Sequence, residues 1–459
     1  MSPVAWGAAL LFAAIFASEC ARAQEQEVAF RAGVTATYSD NATRTISGQA
    51  ATALDGLVGL SVAHQSPLLY VDARASALER GYVEGNLPSE LLANGYLNLL
   101  AGPAGGLFTW TVMDSFGQIS GQPFAALFTN DRQNVNVLST GPNLRIQLDS
   151  RDHLDLAGRY RLDSYSTSSL DDHGYTGQAE FAHDIGSTSH AGVVYSYQRI
   201  DFQQGTLGAA KIEEAYAKYR LAGARSYVVL EAGADQLDQG ITGRQHTSHV
   251  LALLQRHLTE RLTFEAAYRH GYTDAADAFV AASRDGFTVG TDQTVQALAL
   301  PFEESSGYAQ LTRSAGRLLA AIEVTASEET YPGNSASKRR TVGSDFAADY
   351  QLSSKVRFSL RAGYYDEKFP TAQEDGRWVN GSIGLSRMLG RSLQLSLLGT
   401  RIKSTGDVLN GNFAENRAVL ALTYAPGAER LQRIYDTNAP FRFYDRPPPQ
   451  SPPPPQPPH

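Results

Sequence analysis

Apolar residues fall at every second position along most of this chain. Val28, Phe30, Ala32, Val34, Ala36 and Tyr38 alternate with Ala29, Arg31, Gly33, Thr35, Thr37 and Ser39. Leu154, Leu156, Gly158, Tyr160 and Leu162 alternate with Asp155, Ala157, Arg159, Arg161 and Asp163. The same rhythm runs through Leu262 to Arg269, Val356 to Tyr365 and Ala418 to Tyr424. Successive side chains of a β-strand point to opposite faces, so a period of two marks a strand whose faces meet different surroundings. About twenty such segments of roughly ten to fourteen residues follow one another. Their centres lie near residues 33, 58, 74, 95, 111, 145, 158, 180, 195, 217, 230, 250, 267, 308, 323, 346, 361, 383, 398 and 420.

The connections alternate as well. Short ones include Gln65-Ser66-Pro67, Ser150-Arg151, Gly223-Ala224, Thr259-Glu260, Ser314-Ala315, Ser353-Ser354 and Gly390-Arg391. Between them lie long polar ones at 40–51, 167–174, 201–210, 235–243, 273–302, 331–338, 369–376 and 404–414. A soluble sandwich or propeller has no reason to keep this alternation, whereas a transmembrane barrel has short periplasmic turns and long extracellular loops. Hydrocarbon offers no partner to an unpaired peptide group, so a sheet crosses a bilayer only when closed on itself. A tilted strand of ~9–11 residues crosses the apolar layer, and these segments are long enough. The expected fold is all-β, a transmembrane antiparallel β-barrel of about 20 strands, with 18–22 tolerated. Tyr38, Tyr165, Tyr197, Tyr272, Tyr331 and Tyr350 sit near strand ends, where aromatic girdles meet the membrane interfaces.

Composition agrees and narrows the compartment. Charged residues make up 19% of the 459, with Gly 41 and Tyr 22. After the N-terminus no stretch approaches the ~20 apolar residues of a membrane helix. Val4 to Ala17 is apolar, and Ala21-Arg22-Ala23 offers a cleavage site before Gln24. That run is too short to span a bilayer, so 1–23 reads as a secretory signal peptide, though no Lys or Arg precedes its apolar core. Cys20 is the only cysteine, and Glu19 stands where a lipidated cysteine needs a small neighbour. A mature chain without Cys20 has no thiol for a disulfide, catalysis or a metal. The expected organisation is a signal peptide over 1–23, a barrel over 24–425 and a proline-rich periplasmic tail over 426–459. The tail ends PPPQSPPPPQPPH, an extended polyproline II stretch read as an inert extension. The net charge of −8 gives no reason to expect a nucleic-acid partner.

Twenty strands enclose a lumen between those of the ~16–18-stranded open porins and the ~22-stranded plugged transporters. The first strand follows closely on the signal peptide, so any narrowing is expected from loops. Two are long enough: 117–140, with Phe124, Phe128, Asp131 and Arg132 as constriction candidates, and 273–302. Alternation assigns both signs of charge to the lumen. The candidates for lining it are Arg74, Arg159, Arg161, Glu180, Glu231, Glu265, Arg269, Glu323, Arg357 and Arg361. Such charges set solute selectivity in a water-filled pore, or form ion pairs that stiffen the wall. No catalytic constellation stands out. Ser335-Ala336-Ser337-Lys338 matches S-x-x-K without its companion motifs. His246 and His249, three apart in a strand, point to opposite faces and are not expected to share a metal. No catalytic residue, metal or cofactor is expected.

Several phrases resemble a family of outer-membrane porin-like barrels from exopolysaccharide gene clusters, the EpsL type, including those associated with exosortase (PEP-CTERM) systems. They are Tyr38-Ser39-Asp40-Asn41, the run Asn130-Asp131-Arg132-Gln133-Asn134-Val135-Asn136-Val137, Ser139-Thr140-Gly141-Pro142, and Gly158-Arg159-Tyr160. The general pattern covers nearly the whole mature chain. The resemblance implies a Gram-negative outer-membrane barrel that assists exopolysaccharide across the membrane. Its implied partners are outer-membrane lipid, the polysaccharide, periplasmic export components and the barrel-assembly machinery. The chain departs from the usual barrel in the tail after Tyr424, with Phe441-Arg442-Phe443-Tyr444 as an alternative aromatic strand end. A general diffusion porin for small solutes and a structural or adhesive barrel are the other readings.

Overall fold

The computed structural model describes residues 26–426, apart from 45, 85–86, 104, 121–131, 167–170, 204–207, 241–242, 275, 278, 281–300, 332–337, 370–373 and 407–411. The expected signal peptide and proline-rich tail lie outside the described residues.

Twenty strands form one sheet. They are β1 (Gln26–Ser39), β2 (Ala51–Gln65), β3 (Leu69–Tyr82), β4 (Glu90–Ala101) and β5 (Phe108–Ser120). Next come β6 (Arg132–Gln147), β7 (Asp152–Tyr165), β8 (Asp172–Gly186), β9 (Ser189–Phe202) and β10 (Ala209–Ala222). The second half begins with β11 (Ser226–Gln239), β12 (Gly243–Thr259), β13 (Leu262–Thr273), β14 (Phe302–Ala315) and β15 (Leu318–Thr330). It ends with β16 (Lys338–Ser353), β17 (Val356–Phe369), β18 (Glu374–Met388), β19 (Leu393–Gly406) and β20 (Phe413–Tyr424). Each strand pairs antiparallel with the next, and β1 pairs with β20 from Ala32↔Tyr424 to Ser39↔Arg417. Pairing of the first strand with the last closes the sheet on itself, which is what a sheet surrounded by hydrocarbon requires.

Local chemistry shapes one rim into tight turns. Between β2 and β3 the Ser66 N–H donates to the Leu69 carbonyl at 2.8 Å, and Ser66 Oγ accepts from the Leu69 N–H at 3.1 Å. Between β6 and β7, Asp149 Oδ1 accepts from the N–H groups of Arg151 and Asp152 at 2.7 and 2.8 Å. Those two donors hold the Asp149 carboxyl below the usual carboxylate range. Gly316, in the β14–β15 turn, has φ +58°, a conformation that favours glycine. The other rim carries the longer loops, except between β11 and β12, where the connection expected at 235–243 is reduced to 240–242.

The strand rhythm separates two faces. Val34, Leu54, Val193, Ile383 and Leu397 stand exposed on the outer face, giving the barrel an apolar belt. Their sequence neighbours turn inward, where charged and polar side chains pair with one another. Two expectations need correction. The loop placed at 117–140 is shorter, because β5 continues to Ser120 and β6 begins at Arg132, with Ser120 opposite Arg132. The expected strand centre near 145 is displaced accordingly. Of the six girdle tyrosines, Tyr38 and Tyr350 are exposed and Tyr197 is half-buried, whereas Tyr165, Tyr272 and Tyr331 are buried. Tyr165 shares the inward parity of Arg161 and Asp163, so alternation already placed it in the lumen rather than at an interface.

Candidate functional site in the barrel lumen

The ten lumen candidates fall on the inner face by register, and most are paired. Arg74 Nη2 lies 3.0 Å from Asp72 Oδ2, and Arg361 Nη2 lies 2.8 Å from Asp349 Oδ2. Lys218 Nζ bridges Glu180 at 3.3 Å and Glu231 at 3.8 Å. Glu265 accepts the Tyr308 hydroxyl at 2.5 Å, and Glu323 accepts Gln310 Nε2 at 3.1 Å. Arg269 faces Leu251 and Ser306, and Arg357 faces Gln351 and Ser386, in the registers of their strands. Arg159 has a backbone task. The β6–β7 ladder is interrupted at Gly141-Pro142, where proline supplies no N–H. Arg159 Nη1 donates to the carbonyls of Pro142 and Gly158 at 2.9 and 2.6 Å, stitching that gap. Phe124, Phe128 and Asp131 lie outside the described residues, and of Arg132 only its place at the start of β6 is described.

Inner-face ion pairs grow more buried toward the long-loop rim. Near the short turns the Arg145 side chain of the Arg145–Asp155 pair is 51% exposed. Near the long loops Arg161 is 9% exposed and Asp163 not at all. Two segments folded into the lumen cause this.

The first follows β13. Asp274 Oδ1 accepts the Asp277 N–H at 2.8 Å and so caps a helical turn that contains Ala276, Asp277, Phe279 and Val280. Arg161 on β7 reaches across and donates from Nη2 to Asp274 Oδ2 at 2.8 Å and from Nη1 to Asp277 Oδ1 at 3.2 Å. Gln198 on β9 donates to the same Asp274 oxygen at 3.1 Å. Phe279, 1% exposed, packs into a cluster with Val135, Val137, Tyr165, Ile200 and Leu237. Its ring also lies against Gly117 on β5, where an added Cβ would come within 3.2 Å of Cζ. A segment rooted on β13 therefore rests against β5, β6, β7 and β9. The expectation of an inward loop after the thirteenth strand is met over the described part of 273–302.

The second segment follows β1. Arg44, at φ +50° and 1% exposed, donates from Nε to Glu415 Oε2 on β20 at 3.0 Å. Its guanidinium lies 5.1 Å from the Trp378 ring centroid, and Trp378 meets Phe413 edge-on at 5.9 Å. The Ala42 N–H donates to the Gln49 carbonyl at 2.7 Å, folding the loop upon itself. Removing one partner from a buried ion pair costs about 3–5 kcal/mol, because the other charge is left uncompensated. Both segments are thus held by ion pairs and packed rings rather than by the β-ladder.

Alternation missed Arg44, Asp274, Phe279 and Glu415, since none can be paired without the closed barrel. It also missed a gathering on adjacent strands. Register puts His246 outward opposite Gln236 and His249 inward opposite Gly233, as expected of residues three apart. His249 then meets Glu214 and Asp235, and their ligand-type atoms lie within 4.8 Å of one another.

No protein-family model matches the chain, and no curated protein does. Among solved structures, the unliganded ferric citrate transporter FecA is 12% identical, covering 88% of this chain and 79% of its own, at a TM-score of 0.42. The ferric enterobactin receptor PfeA of Pseudomonas aeruginosa (G324V mutant) is 10% identical, with coverages of 88% and 81% and a TM-score of 0.45. The FrpB iron transporter of Neisseria meningitidis is 8% identical, with coverages of 86% and 81% and a TM-score of 0.44.

Proposed function

We propose that the chain is an outer-membrane pore whose lumen passes a hydrophilic polymer, exopolysaccharide, with the short turns in the periplasm. The observation that carries this reading is the latch between Arg161 and the segment 274–280. A wall lined by charges of both signs suits a hydrated, uncharged or mixed-charge chain. Closure by ion pairs on a loop, rather than by strands, leaves a way to open that does not disturb the sheet. The resemblance to barrels of polysaccharide clusters supplies the polymer, and periplasmic export components are the partners that deliver it.

A second reading, a diffusion porin for small hydrophilic solutes, is favoured by the same latch if it stays shut. Deleting the gene separates the two: loss of surface polysaccharide with unchanged uptake of small sugars supports export, and the reverse supports the porin. A barrel that shows no conductance in planar bilayers, even with the latch broken, would remove both.

A further inference from the structure

We propose that Glu214, Asp235 and His249 form a binding site for a divalent first-row transition-metal ion on the lumen wall. The three residues come from the adjacent strands β10, β11 and β12, all on inward-facing positions. Zinc holds nitrogen and oxygen ligands at about 2.0–2.2 Å, so the ligand atoms of a tetrahedral ion lie roughly 3.3–3.6 Å from one another. The three here lie within 4.8 Å of one another, so the side chains must draw in by about 1 Å to close around an ion. One imidazole with two carboxylates is a donor set for zinc or iron(II) rather than for calcium or magnesium, which take oxygen alone.

The surroundings of His249 add an independent argument. Its Nδ1 lies 3.0 Å from Asp235 Oδ1, on the side of the site. Its Nε2 points the other way, 3.4 Å from Glu231 Oε2. Metal-bound histidines almost always donate their second N–H to a carboxylate, a backbone carbonyl or a water, which fixes tautomer and ring orientation. Glu231 fills that role. The ring is also clamped from one face: Tyr216 stacks on it with centroids 4.1 Å apart and planes 5° from parallel. Gly233 stands between them in the register Tyr216↔Gly233↔His249, and an added Cβ would fall 2.6 Å from Tyr216 Cβ. Gly271 does the same for Asp235, since a Cβ there would come within 2.5 Å of Oδ2. Two glycines thus leave room for a clamped imidazole and a buried carboxylate.

Charge balance points the same way. Glu180, Glu214, Glu231 and Asp235 crowd this wall, and the cations facing them are Lys218, 3.3 Å from Glu180 and 3.8 Å from Glu231, and Arg269 beside Glu214. A divalent cation between Glu214 and Asp235 offsets the surplus. The site lies at the root of the inward segment, because the Tyr272 N–H donates to Asp235 Oδ2 at 3.3 Å.

The test uses the tag-free full-length barrel in detergent, stripped with a chelator and titrated calorimetrically with Zn2+. One equivalent is expected to bind wild type, and binding is expected to vanish in His249→Ala and Asp235→Asn. His183→Ala, near the short-turn rim, and His246→Ala, on the outer face, are expected to bind as wild type does. Equal binding by wild type and His249→Ala, or no stoichiometric binding at all, would overturn the proposal. Co2+ bound to wild type needs no variant. Ligand-field bands that Zn2+ displaces support the site, and their absence overturns it.

Discussion

Asp40 and Asn416 stand 376 positions apart and clasp each other across the seam where the barrel closes. The Asn416 N–H and side-chain amide donate to the two Asp40 carboxylate oxygens at 2.7 and 2.6 Å. Beside them Ser39 Oγ donates to Glu415 Oε1 at 2.7 Å, and Asn41 Nδ2 donates to the Ala414 carbonyl at 3.1 Å. The phrase Ser39-Asp40-Asn41 is a device for joining the first strand to the last. Gly141-Pro142 and Gly158-Arg159, also among the phrases that carry the family resemblance, form the stitched gap between β6 and β7.

Asp40→Ala should therefore loosen the seam. A hydrogen bond to a charged group contributes about 1.5–3 kcal/mol when sheltered, and both residues are exposed, so the expected loss is about 1 kcal/mol. It should appear as a lower urea midpoint for the heat-modifiable, folded band on electrophoresis. An unchanged midpoint would mean that the Asp40–Asn416 clasp contributes nothing to the seam beyond its other contacts.

The latch makes a contrasting pair of predictions. Arg161 also lies 3.9 Å from Asp172 on β8, so Arg161→Ala leaves Asp163, Asp172 and Asp274 buried without their cation and should cost about 3–5 kcal/mol. It should also raise single-channel conductance as the 274–280 segment leaves the wall. Asp277→Asn touches a half-exposed partner and should cost less than about 1 kcal/mol with little change in conductance. Equal conductance in wild type and Arg161→Ala would show that the segment does not narrow the pore.

Close backbone approach predicts which glycines matter. At Gly141 an added Cβ would sit 2.0 Å from the Gly158 carbonyl oxygen, closer than atoms can pack, whereas Gly177 has nothing within 4 Å. Gly141→Ala should reduce the yield of folded barrel on refolding into detergent. Gly177→Ala should refold like wild type, and comparable losses in both would contradict the close approach.

Asp114 is a polar residue on the apolar belt. It sits mid-strand on the outer face between Val112 and Phe116, and its Oδ1 has no hydrogen-bond partner among the described residues. A charged residue facing lipid near the bilayer centre costs up to a few kcal/mol, less for aspartate than for lysine or arginine. Asp114→Leu should stabilise the barrel in lipid vesicles by about 1–2 kcal/mol, read from its urea midpoint. Destabilisation instead would place the residue against protein rather than lipid.

Alternation by itself determined the strand number, the face each residue takes and hence the closed barrel, because facing lipid on one side and water on the other is a local property of each position. Leu154 and Arg161 declare their sides without reference to any other strand. The same rule puts all ten lumen candidates inward, and Tyr165 with them, because parity holds up to the strand end.

Only the tertiary structure decided which inward charges find which partners and which loops enter the lumen. Arg161 meets Asp274, Arg44 meets Glu415, and Glu214, Asp235 and His249 converge because the closed sheet sets register between strands and lets the segments after β1 and β13 fold into the lumen. A period of two records the environment of a side chain but not its neighbour. Contacts across the lumen join residues more than a hundred positions apart, and their energy depends on distances that exist only once the barrel has closed.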